Sequence, residues 1–266
     1  MWSSPPAQQG SSVNNEILFC GDAHGKLQHV LDTALRLQPM AVVLLGDMES
    51  PRPLHVELAP IRDIVWWITG NHDTDHAQSW SNLMNSDLAD RCLDGRVVTL
   101  PDGTRLAGLG GVFREKIWLP PNAPKFESYD AWLGSLQPGW NNRQGGKQPM
   151  FESERLKHHS TIFHDRYQEL ACQRADILVT HEAPEFHRHG NEALTLLALA
   201  LDAKTTFHGH HHDRLDYNEC AGELGMAAFG VGLRGITGRD GRVIVPGELD
   251  QIRAHRQSAK PDDPFK

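Results

Sequence analysis

Ile17-Leu18-Phe19-Cys20-Gly21-Asp22-Ala23-His24 reads as four apolar residues that stop at a glycine, followed by an acid and an imidazole two positions apart. A buried strand running into a polar loop gives this pattern. The pattern recurs. Val42-Val43-Leu44-Leu45 runs into Gly46-Asp47, Ile64 to Ile68 into Gly70-Asn71-His72-Asp73, and Ile177-Leu178-Val179 into Thr180-His181. A fifth polar block, Gly209-His210-His211-His212, follows an expected strand over Lys204–Phe207. Open α/β sheets gather ligands beyond their strand ends, so separate segments can converge on one crevice. Oxygen and imidazole donors suit hard or borderline divalent metals, and a dinuclear site needs about seven or eight such groups. The blocks together supply that set.

These residues resemble the calcineurin-like metallophosphoesterase superfamily, whose pattern is D-x-H, then G-D, then G-N-H-D/E, a lone His, and G-H-x-H. The match spans Asp22 to His212, and the segment between Val112 and about Ser160 carries none of its motifs. The resemblance implies an α/β fold, a four-layer αββα sandwich of two mixed sheets flanked by helices, and hydrolysis of phosphate esters.

Working outward, about Lys26 to Leu37 places Leu27, Val30, Leu31, Ala34 and Leu35 at helical spacing, and Pro39 helps end the helix. With strands at Ala41–Leu45 and Ile64–Thr69 this gives the rhythm of a parallel-type sheet. Arg96–Leu100 and Arg105–Leu109 flank Pro101-Asp102-Gly103-Thr104, a hairpin sequence. Residues 114–150 are rich in Pro, Gly, Asn and Trp without a regular period, and read as an irregular insertion. Its Trp118, Trp132 and Trp140 either line a substrate rim or fasten the loop to the domain. Glu152–Arg174 is expected to be helical, Asp176–Val179 a strand, and Asn191–Leu201 an apolar helix. Strands near Gly225–Phe229, Leu233–Thr237 and Val243–Val245, with the turn Arg239-Asp240-Gly241-Arg242, are expected to edge the second sheet.

One domain over residues 15–252 is expected, between a disordered segment 1–14 rich in Ser, Pro and Gln and a flexible charged tail at 253–266. A net charge of -8 argues against stable binding to nucleic acid or to anionic membranes. Two bound cations would still make the crevice attractive to an anion. Cys20, Cys92, Cys172 and Cys220 are far apart and form no C-x-x-C pair, which reads as reduced thiols in the cytoplasm. No apolar run approaches the roughly 18 to 20 residues of a membrane span, and the polar N-terminus is unlike a signal peptide.

Asp22 and His24 alternate, so in an extended segment they face the same way and bind one ion. Asp47 is the expected bridging carboxylate, and Asn71 offers a neutral carbonyl oxygen to the second ion. His72 follows a ligand whose side chain diverges from its own, which makes it the expected general acid, with Asp73 fixing its tautomer. His181 joins the second ion by its place in the series. His208, His210, His211 and His212 allow two registers. The G-H-x-H pattern after Gly209 favours His210 on the second ion and His212 on the first, with His208 ending the strand and His211 pointing away. His158-His159 and His187-x-His189 have no carboxylate in register and read as solvated surface. Gly230 to Gly235 matches G-x-G-x-x-G but precedes a hairpin instead of a helix, so it is no dinucleotide site. Gly145-Gly146-Lys147 lacks the remaining residues of a P-loop.

The expected reaction is in-line attack on phosphorus by a metal-bridging hydroxide, using two divalent ions drawn from manganese, iron, zinc, nickel and cobalt. The superfamily's Ser/Thr protein phosphatases resemble G-D-x-V-D-R-G and G-N-H-E. Here Gly46-Asp47-Met48-Glu49-Ser50 lacks that arginine and Asp73 replaces the glutamate, which favours a phosphorylated small molecule or nucleotide over a protein. Arg52 and Arg114 are the candidates for holding the phosphate. The alternative is a catalytically inactive interaction scaffold of the same fold. Filled ligand positions argue against it.

Overall fold

All four residues of the strand Ile17–Cys20 (β1) are buried, as are those of Ala41–Leu44 (β2), so both strands are covered on both faces. What covers them follows from their alternation. Ile17, Phe19, Ala41 and Val43 point into an apolar layer shared with Leu106, Ile177, Val179, Phe207 and Phe229 of a second sheet. Leu18, Cys20, Val42 and Leu44 point the other way, onto Leu27, Val30 and Ala34. A third cluster lies on the far side of the second sheet. The result is helix, sheet, sheet, helix, the four-layer α/β arrangement implied by the resemblance.

The computed structural model describes residues 15–136 and 148–254. After β1 and β2, joined by α1 (Gln28–Leu37), come α2 (Leu54–Glu57), β3 (Val65–Trp67), α3 (Ala77–Met84) and the hairpin β4 (Arg96–Thr99) and β5 (Arg105–Leu109). The chain continues through α4 (Tyr129–Ser135), α5 (Gln148–Lys157), α6 (His164–Ala171), β6 (Ile177–Thr180), α7 (Glu192–Leu201) and β7 (Thr205–His208). It closes with β8 (Leu215–Asp216), α8 (Asn218–Ala221), β9 (Ala227–Gly230), β10 (Ile236–Gly238) and β11 (Val243–Val245). The first sheet has the order β11-β10-β1-β2-β3 and the second β4-β5-β6-β7-β9-β8. In the first, β1, β2 and β3 run parallel and β10 and β11 add antiparallel on one side, while the second has a parallel centre with an antiparallel strand at each edge. Phe19 stacks on Phe207 at 3.7 Å between ring centroids, joining the sheets back to back. Among the described residues no helix is long and apolar enough to cross a membrane.

Five expectations need correction. Residues 152–174 are not one helix: at Thr161 to Phe163 the backbone turns extended and exchanges bonds with Val112, whose N–H donates to Ser160 O and whose carbonyl accepts from Ile162 N–H, both 3.0 Å. Those groups are no longer available to a helix ladder. The insertion is not wholly irregular, since it holds α4, capped by the Ser128 hydroxyl on Ala131 N–H. Its Trp118 and Trp132 lie in the core beside Phe163, Tyr167 and Leu197, so they fasten the loop and do not form a rim. Trp140, like segment 1–14, lies outside the described residues.

The third correction concerns the last strands. Only β9 joins the second sheet, while β10 pairs antiparallel with β1 and carries β11 to the edge of the first. The chain crosses between sheets through Gly230 to Gly235, where the backbones touch: a Cβ on Gly21 would sit 2.5 Å from Gly232 O. Finally, His158 and His187 are buried and not solvated. Arg253, placed in the tail by sequence, is anchored on Asp213 and on the His211 carbonyl.

Candidate metal centre

Asp22 follows β1, Asp47 follows β2, Asn71 follows β3, His181 follows β6, and His210 and His212 follow β7. The parallel strands therefore deliver all their polar blocks to one edge of the sandwich. The loops are laid on each other by backbone bonds. His24 N–H donates to Asp47 O at 2.9 Å and Gly25 N–H to Met48 O at 2.8 Å. His24, Asp47, Glu49, His210 and His212 have φ between 41° and 67°, and they are five of the eight described non-glycine residues with positive φ. Such conformations cost about 1–2 kcal/mol each. Their concentration here marks a site held against local preference. Gly46, at φ 95°, admits His181: a Cβ there would lie 2.5 Å from its Nδ1.

Two groups of donor atoms result, each lying within 4.8 Å of one another: Asp22, His24, Asp47 and His212, and Asp47, His181 and His210. Asp47 belongs to both. His212 lies beside Asp22 and His24, and His210 beside His181. Asn71 joins the second group, its Oδ1 3.1 Å from His181 Nε2. His208 ends β7 outside both groups, donating from Nδ1 to Gly209 O and meeting the Tyr217 hydroxyl through Nε2. His211 turns away and stacks on His187 at 3.9 Å.

The donor set fits divalent cations. His24 Nε2 and His212 Nε2 face each other at 3.1 Å, and the buried Asp47 Oδ2 makes no hydrogen bond, its nearest partner being His181 Nε2 at 3.4 Å. His181 Nδ1 donates to Leu45 O at 2.7 Å, which aims Nε2 into the same space. Burial opposes charge on His181, but Asp47 and Asp22 push it up to about 10. The spot thus draws positive charge, which a divalent ion supplies as well as a proton does. Burial and the neighbouring Asp47 push Asp22 up to about 7, against the pull of His181. Burial also opposes charge on Asp47, yet His181 and the His72 N–H hold it below the usual carboxylate range. Burial keeps His210 and His212 down at about 3 and about 4, neutral as metal ligands must be.

His72 stands at the mouth, its ring 5.6 Å from that of His24. Its Nδ1 is held by Asp75 at 2.6 Å and not, as expected, by Asp73. The Asp73 carboxylate is buried and already engaged, accepting Glu49 N–H at 2.9 Å and Gly70 N–H at 2.8 Å. Burial and Asp47 push it up to about 7. Arg114 borders this loop. Its Nε donates to Thr161 Oγ1 at 3.0 Å, and Ser160 Oγ links it to Thr74 Oγ1 at 2.6 Å. Arg52 is engaged in an exposed pair with Glu57. Sequence reasoning missed Asp75 and Glu49, which contacts His24 Nδ1. Their acidity at loop positions was the available signal.

A family model for the calcineurin-like phosphoesterase superfamily domain matches residues 16–259. A protein of Haemophilus influenzae, described as uncharacterized, is 32% identical over 229 residues, covering 86% of this chain and 96% of that one. Among solved structures, TT1561 of Thermus thermophilus shares the fold at TM-score 0.54 and 12% identity, over 88% of this chain and 99% of that one. The calcineurin-like phosphoesterase YfkN from Bacillus subtilis aligns over 88% of each chain at 14% identity and TM-score 0.43. The chain belongs to the calcineurin-like phosphoesterase superfamily.

Proposed function

We propose that this member of the superfamily is a dinuclear metal-dependent phosphoesterase acting on a phosphorylated small molecule or nucleotide. The observation that carries the reading is the pair of donor groups meeting on one carboxylate, Asp47. Asp22, His24, Asp47 and His212 hold one cation, and Asp47, Asn71, His181 and His210 the other. When bound, the cations neutralise phosphate charge and acidify a water. His210 and His212 stay neutral through burial, and His181 is oriented by the Leu45 carbonyl.

His72 donates a proton to the departing oxygen. Asp75 occupies Nδ1 and leaves Nε2 toward the substrate. Burial works against charge on this imidazole, but Asp75 and Asp47 carry its pKa above the ordinary value, which keeps the acid loaded. Arg114 takes a non-bridging phosphate oxygen, its guanidinium being held beside the loop by two hydroxyls. Asp73 braces the loop. The missing arginine of G-D-x-V-D-R-G, replaced here by Gly46 to Ser50, weighs against a protein substrate. Four free cysteines fit a cytoplasmic setting.

The test is nitrophenol release from mono- and bis-nitrophenyl phosphate by chelator-treated protein, with and without added manganese. Manganese-dependent release, abolished in Asp47→Asn together with metal binding, is expected. Protein that carries two metal ions and hydrolyses neither ester, nor any of a nucleotide panel, is the scaffold alternative.

A further inference from the structure

We propose that Glu49 is a positioning residue that holds His24 through Nδ1, so that Nε2 is presented to the cation of the Asp22 group, and that it thereby sets metal affinity at that position. The inference rests on the dinuclear reading above. His24 Nδ1 contacts Glu49 Oε2, while His24 Nε2 lies 3.1 Å from His212 Nε2. A neutral imidazole has one N–H and one lone pair. Two facing Nε2 atoms can serve a cation only when both present lone pairs, and a carboxylate on Nδ1 fixes His24 in that tautomer. Glu49 belongs to neither donor group, so it acts through His24 and not as a ligand.

Its placement is built. Glu49 adopts φ 43°, an unfavourable conformation for a residue with a Cβ, and the turn directs its N–H to Asp73 Oδ1 at 2.9 Å. The other Asp73 oxygen takes Gly70 N–H, and the loop bearing His24 is laid on the Asp47–Met48 carbonyls. Three separate ligand loops are thus joined through one acidic pair, with Glu49 as the link to His24. His181 receives the equivalent support from a neutral carbonyl, that of Leu45. A carboxylate holds an imidazole N–H by a charge-assisted bond that a neutral carbonyl cannot match, so it fixes the ring of the Asp22 group more firmly.

The test titrates manganese into chelator-treated wild type, Glu49→Ala and Glu49→Gln by calorimetry, and records the melting temperature of each metal-free protein. Wild type binds two equivalents. Glu49→Ala weakens one of them by about 10- to 100-fold and leaves the other unchanged. Glu49→Gln, which keeps an acceptor without the charge, falls between, and the metal-free proteins melt alike. Two wild-type affinities in Glu49→Ala overturn the proposal. Equal weakening of both equivalents with a lowered metal-free melting temperature also overturns it, assigning Glu49 to the loop's stability. A wild type that binds fewer than two manganese ions refutes the dinuclear reading itself, a result separate from either variant outcome.

Discussion

His72 and Asp75 are three residues apart in a 3₁₀ turn that brings their side chains to 2.6 Å. If His72 delivers the leaving-group proton, His72→Ala keeps its metals and loses about 10²- to 10⁴-fold in kcat on a nitrophenyl ester. Asp75→Asn loses about tenfold, because an amide holds the ring less firmly than a carboxylate. Elemental analysis beside steady-state rates separates the two roles, and a fully active, metal-replete His72→Ala removes the general-acid assignment. Gly46→Ala acts differently: at φ 95°, with its Cβ 2.5 Å from His181 Nδ1, it displaces the His181 imidazole. It is expected to cost more than about 1 kcal/mol of stability and to weaken manganese binding in calorimetry. That Asp22, His24, Asp47, Asn71, His181, His210 and His212 come together was legible, because each follows an apolar strand end. Asp75 and Glu49 were not, since their reach depends on a tight turn and a left-handed backbone that spacing along the chain does not express.

The strands that deliver those residues were equally legible, being short apolar runs buried on both faces. Sheet membership was harder. Nothing local in Ile236–Gly238 says that the chain has crossed from β9 back to β1, because the crossover depends on two glycine backbones meeting far apart in sequence. The insertion shows a second limit: α4 has only seven residues, and its anchor Trp132 is fixed by burial in the cluster on the far side of the second sheet and against His158, contacts that no local spacing expresses. That packing makes a definite prediction. Trp132→Ala removes a large buried ring and is expected to cost about 3–5 kcal/mol in urea unfolding, with two manganese ions still bound. Wild-type stability in this variant means that the insertion is held elsewhere.

At the scale of the whole molecule, burying several imidazoles between four layers ties stability to pH. His158, 3% exposed and packed edge-on to Trp132, is pushed down to about 4 by burial, with Arg114, Lys157 and Lys116 adding to the effect and Glu154 opposing it. In the unfolded chain the same residue titrates near the ordinary value of about 6.5. Between those two values the unfolded state binds a proton that the folded state refuses, so stability falls as pH drops through this window and levels off below it. His208, pushed to about 3, has the same sign. Asp73, pushed up to about 7, has the opposite sign, since its folded form takes up a proton that the unfolded carboxylate does not. The slope of the whole protein therefore mixes contributions, and only a difference isolates one. Urea unfolding of wild type and His158→Gln, at pH 7.5 and pH 5 with saturating manganese, provides it. Wild type is expected to lose at most about 2 kcal/mol more than the variant over that interval. Parallel slopes show that His158 accepts its proton within the fold, and that the Trp132 layer is open to water.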